Sequence, residues 1–148
     1  MNMDTLSRTE KETIAKEIKE AISTLIRGCE TLDLDLAFDV FLDSPDFLMI
    51  GTDGTHCDYS AYLKNNKDYL KTCARFELTT FKEEIRILTG ETAIYSWAYG
   101  AEAILRTGEK DIIDKAGATF VFHKIREEWK VVYYHEASVP PTRIPAMQ

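Results

Sequence analysis

The chain has 148 residues, of which 45% are hydrophobic, 11% aromatic and 29% charged, enough for one domain whose core needs no metal or disulfide staple. Its formal net charge of −7, from 18 Lys and Arg against 25 Asp and Glu, lacks the basic clustering that phosphate backbones require, so no nucleic-acid partner is expected. The longest strongly apolar run, Phe47 to Ile50, is far too short to cross a bilayer, and the polar start MNMDTLSRTEKETIAKE has no apolar signal segment; a cytoplasmic protein without membrane contact is the expectation.

Arg8 to Glu30 reads as a helix, because Ile14, Ile18, Ala21, Ile22, Leu25, Ile26 and Cys29 recur every three or four residues as one apolar stripe. Ser7 and Glu10 have the spacing of a capping box at its start. A second helix is expected from Leu34 to Leu42, capped by Asp33 and stopped by Ser44-Pro45. Phe47 to Ile50 is a short strand, Gly51 to Gly54 a turn, and Asp58 the N-cap of a third helix reaching Lys71. After Thr72 the period changes to two. Arg75 to Leu88, Thr92 to Arg106, Lys115 to Arg126 and Trp129 to Ala137 then read as four long strands in a meander. Three helices before a run of strands indicate an α+β fold with an antiparallel sheet packed on helices, in one domain spanning residues 1–148.

Cys29, Cys57 and Cys73 are odd in number and widely spaced, which favours reduced thiols over a disulfide framework or a zinc site. With His56 in a loop, His123 in mid-strand and no HxH or HExxH spacing, no metal is expected, and no glycine-rich phosphate loop or GxSxG elbow points to a cofactor or serine nucleophile. The last strand, WKVVYYHEASVPP, carries one titratable imidazole. Strict alternation puts Trp129, Val131, Tyr133, His135 and Ala137 on one face. His135 is therefore read either as a pocket residue suited to acid/base work, with the Tyr133 hydroxyl beside it, or as a hydrogen-bonded core histidine.

The turn Gly51 to Gly54 leading into the third helix, and the closing Trp129, His135 and Pro140, make the chain resemble the nuclear transport factor 2-like superfamily, the cystatin-like α+β cone. Within it the likeness is to SnoaL-like domains and to the association domain of calcium/calmodulin-dependent kinase. The resemblance implies a strongly bent sheet wrapped around three N-terminal helices, an apolar interior pocket, and frequent dimerisation through the outer sheet face. It does not name a reaction, since the fold carries isomerases, dehydratases, cyclases and adaptors alike.

Set in such a cone, Tyr95, Trp97 and Tyr99 alternate onto one strand face and form either a pocket wall or sheet packing; Phe120 and Phe122 are similar. The expected pocket residues are Trp97, Tyr99, Phe120 and Tyr133, and the expected catalytic groups are His135 and Asp53, the latter near the cone mouth where burial raises a carboxyl pKa. Aspartate in a glycine turn is more often simply a turn former. The pattern of ketosteroid isomerase is not met. Gly51 stands where its base would be, Arg8 to Glu30 contains no tyrosine, and Ala118-Thr119-Phe120 offers no late carboxylate. A dehydratase-like His–Asp pair would need His135 within reach of Asp53 or Asp39, and Phe120 replaces the pocket arginine of the kinase association domain. The expected function is a binder of a small apolar molecule, of lyase or isomerase type, or alternatively a non-catalytic dimerisation module; the expected partner is a second copy of the chain.

Overall fold

A computed structural model describes residues 5–147. Helix α1 (Arg8–Glu30) starts where Ser7 Oγ accepts from the Glu10 amide at 3.1 Å, as the capping spacing predicts. Its stripe Ile14, Ile18, Ile22 and Leu25 is buried, and Gly28 continues that face. A Cβ on Gly28 would overlap the backbone of Ala37, so glycine permits the close approach of α2 (Leu34–Phe38) to the end of α1. Asp33 caps α2 through the Leu36 amide at 3.1 Å. The helix ends four residues before the expected Leu42 because the next segment bonds to a strand. The Val131 amide donates to Val40 O at 2.8 Å and the Leu42 amide to Val131 O at 3.0 Å.

Strand β1 (Leu48–Ile50) forms a small hairpin with the unpredicted β2 (His56–Cys57), and Asp58 caps α3 (Tyr59–Leu70) through the Ala61 amide at 2.8 Å. The meander follows: β3 (Cys73–Ile87), β4 (Thr92–Leu105), β5 (Lys110–Ile125) and β6 (Glu128–Ser138). A further strand β7 (Thr142–Ile144), also unpredicted, returns to pair with Lys110–Ile112. The strand order is β2-β1-β6-β5-β4-β3. The sheet is mixed rather than antiparallel throughout, since β1 runs parallel to β6.

Four strands of 11 to 16 residues curve around the helices as the cone of a cystatin-like α+β fold. Irregular pairing helps the sheet bend: Phe81 is an extra residue between the Thr80 and Lys82 pairs of β3, and β4 and β5 slip register past Gly100. The inner face buries Tyr95, Trp97, Phe120, Phe122 and Val131 against α1 and α2. Buried ring heteroatoms find partners. Trp129 Nε1 donates to Glu17 Oε2 at 2.6 Å, tying β6 to α1, and Trp97 Nε1 donates to Thr80 Oγ1 at 2.9 Å. No helix among the described residues is long and apolar enough to cross a membrane.

Candidate functional site

The site depends on a single extra residue in β6. Phe122 pairs with Val131 but Val121 pairs with Tyr133, so Val132 is bulged and the alternation changes phase there. The bulge falls where β6 exchanges partners, from the 40–42 segment at Val131 to β1 at Tyr133. Trp129 and Val131 point into the cone, as expected. Beyond the bulge, Tyr134 and Glu136 point inward, while Tyr133 and His135 turn to the outer face. The expectation that Trp129, Val131, Tyr133 and His135 share one face is thereby corrected.

Between α3, the end of α1 and the inner face of β4–β6 lies a cavity of about 390 Å³. Its buried end is aromatic: Phe41, Trp97, Phe120 and Tyr134 line it, with Phe120 and Tyr134 ring centroids 4.8 Å apart. Trp97 and Tyr99 stack at 4.0 Å along one wall, and Tyr62 of α3 stacks on Tyr134 at 5.6 Å. The rim is polar, with Asn65, Asn66 and Tyr69 from α3 facing Asp111 of β5 and Pro141. At the rim Tyr69 Oη donates to Asp111 Oδ2 at 2.8 Å, and Arg143 of β7 clamps the same carboxylate with two bonds of 2.7 and 2.9 Å. These bonds hold Asp111 below the usual carboxylate range, with Arg143 the largest cause.

Glu136 is the carboxylate inside. Tyr134 Oη donates to Glu136 Oε2 at 2.8 Å. Burial pushes the Glu136 carboxyl above its usual pKa, opposed by that hydrogen bond and by the neighbouring His135. The tyrosines respond to the same surroundings. Tyr134 and Tyr62 are raised well above the ordinary phenol value, first by burial and then by nearby groups including Glu136, and Tyr99 is raised to about 12. Tyr62 and Tyr99 both interact with the Tyr134 hydroxyl. Burial likewise lifts the Cys29 thiol, which lines the cavity, to about 12 and keeps it neutral. The arrangement is one desolvated carboxylate among un-ionised phenols in an apolar shell.

Of the expected site residues, Trp97, Tyr99 and Phe120 lie in the wall of this cavity. Tyr133 does not, and His135 is exposed in a shallow outer groove of about 440 Å³ with Lys82, Glu84, Ser96 and Thr119. Asp53 is exposed in its turn, where the Thr55 amide donates to Asp53 Oδ1 at 2.9 Å. That bond lowers its pKa, the reverse of what a buried base shows. Among the described residues no hydrogen bond or ion pair joins Asp53 or Asp39 to His135. The sequence reasoning missed Glu136, Tyr134 and Tyr62. A signal was present in the doublets Val131-Val132 and Tyr133-Tyr134, which make either phase of β6 equally apolar. Among the described residues no group of three or more His, Cys, Asp or Glu side chains is placed to hold a metal ion.

The family model of the SnoaL-like domain matches residues 18–141. No curated protein matches the chain. Among solved structures, a nuclear transport factor 2-like superfamily protein from Salmonella enterica serovar Typhimurium is 22% identical with a TM-score of 0.77, over 88% of this chain and 94% of that one. A hexachlorocyclohexane dehydrochlorinase from Novosphingobium barchaimii is 11% identical with a TM-score of 0.74, over 95% and 97%. A protein with a cystatin-like fold from Caulobacter vibrioides is 15% identical with a TM-score of 0.69, over 85% and 89%. At these identities the likeness shows the fold.

Proposed function

The chain belongs to the SnoaL-like domain family, and on that premise we propose that it takes an apolar small molecule into the cone and moves a proton on it, as a lyase or isomerase does. The observation that carries this reading is the Glu136–Tyr134 pair, 2.8 Å apart, inside a cavity of about 390 Å³ with aromatic walls. A carboxylate whose pKa is raised by burial is a stronger base than one in water. Glu136 removes a proton from a carbon beside an electron-withdrawing group. In an isomerisation the same carboxyl returns that proton to another carbon. In an elimination a leaving group departs from the adjacent carbon with the electron pair as the double bond forms. The neutral hydroxyls of Tyr134, Tyr62 and Tyr99 supply hydrogen bonds to the atom on which negative charge develops. One structural relative is named for a dehydrochlorination, which supports this class of chemistry.

A thermal-shift panel of apolar metabolites tests the binding step, because a ligand that prefers the native state must raise its stability. For a turned-over hit, Glu136→Gln should lose roughly 10²- to 10⁴-fold in kcat, the usual worth of a positioned general base. Undiminished turnover in that variant would sink the assignment. The three free thiols Cys29, Cys57 and Cys73 support a reducing compartment, and we place the protein in the cytoplasm.

A second copy of the chain is the partner we propose for the outer sheet face. The groove beside His135 lies open there, and Phe81, next to the groove residue Lys82, is 60% exposed against Gly100. Light scattering coupled to size-exclusion chromatography should give twice the chain mass, and a monomer at micromolar concentration would exclude it.

A further inference from the structure

We propose that the cavity selects an organic cation, an ammonium carried on an aromatic or alicyclic body, with Glu136 as its counter-ion. The proposal rests on the reading of the cavity as a small-molecule site and adds the charge of what enters it. Among the described residues lining the cavity there is no lysine, arginine or histidine. At the rim the Arg143 guanidinium is committed to Asp111 through two bonds, so that pair is internally compensated. Glu136 is different: the hydrogen bond to its carboxylate comes from a neutral phenol, and the neighbouring His135 stands in the outer groove rather than in the cavity. A carboxylate accepts about four hydrogen bonds, and a desolvated one without a cation carries an electrostatic penalty that a bound cation relieves.

The walls favour the same charge. Ring faces are electronegative, and Trp97, Tyr99, Tyr62, Phe120 and Tyr134 line the cavity around Glu136. Cys29 and the tyrosines are neutral at physiological pH, so none offers a second anion or a cation. An anionic ligand would meet Glu136 with no basic side chain in the cavity lining to offset the repulsion. A neutral ligand gains apolar burial and leaves the carboxylate uncompensated.

The test is isothermal calorimetry on the full chain at pH 7.5 with three probes of one shape: 1-naphthylmethylamine, 1-naphthylmethanol and 1-naphthoate. The amine should bind at least about tenfold more tightly than the alcohol, the size of one well-placed charge contact, and the naphthoate should not bind. Glu136→Gln, checked for native circular dichroism, should remove the preference for the amine while the alcohol still binds. Equal or tighter binding of the alcohol or the naphthoate in the wild-type chain overturns the charge assignment and leaves the cavity reading intact. Binding of none of the three overturns both.

Discussion

The two halves of β6 both mix aromatic with charged residues, yet they end in different environments. Before Val132, Trp129 and Val131 point inward and simply fill the core, with Val131 wholly buried. After it, Tyr134 and Glu136 point inward and border a cavity, while Tyr133 and His135 face out. One inserted residue separates packing from a polar site. The comparison teaches that in a long, bent strand, facing is a local property, decided by each side's pairing partner rather than by the count from the strand's start.

The most severe change to β6 is Val131→Pro, which removes the amide that donates to Val40 O and takes a wholly buried side chain out of the core just before the bulge. It also releases β6 from the 40–42 segment, one of the two edges that hold its halves in different registers. Loss of the cooperative unfolding transition in urea is the expected result; a stable, two-state variant would show that this edge bonding does not hold the bulge. Next in size, Phe120→Ala removes a ring that touches Tyr95, Trp97 and Tyr134, and should cost about 3–5 kcal/mol by denaturant titration. His135→Ala, on the exposed side of the same ribbon, should lie within about 0.5 kcal/mol of wild type and leave ligand binding unchanged. A large effect of His135→Ala on turnover would move the chemistry to the outer groove.

Acid–base titration sharpens the contrast between the cavity floor and its rim. Glu136 has a raised pKa, so the folded chain binds its proton more tightly than the unfolded chain. Its stabilising contribution is present below the ordinary carboxylate value and is lost as pH rises through the raised one. Asp111 is lowered by Arg143, so its contribution is present above the ordinary value and is lost as pH falls through the lowered one. Melting temperatures across pH 3–8 should therefore lose their decline above the ordinary carboxylate value in Glu136→Gln. In Arg143→Ala they should lose part of the acid-side decline instead. The second effect should be the smaller, because Arg143 is half exposed and solvent weakens its pairing. Identical pH profiles in all three proteins would remove the distinction.

Much of this architecture was legible in the chain. Ser7, Asp33 and Asp58 announce three helix starts, and each side chain accepts the amide expected of a cap. The change of period after Thr72 announces the meander. Trp97, Tyr99 and Phe120 are recognisable as one wall because β4 keeps its alternation unbroken from Ala93 to Leu105 on the inner face. What was not legible depends on partners distant in sequence. The end of α2 at Phe38 is decided by Val40 and Leu42 bonding to Val131, and β7 by its pairing with Lys110–Ile112.

Capping, periodicity and composition act within a few residues of one another, so the α+β class, the aromatic interior and the acidic charge follow from the chain alone. Only the tertiary structure decided which acid stands in the cavity. With Val131-Val132 and Tyr133-Tyr134 as doublets, burial energy is almost the same for either phase of the strand. The choice falls to hydrogen bonding along its edge, where the 40–42 segment and β1 take β6 in two registers. That choice turns His135 to the outside and brings Glu136 in.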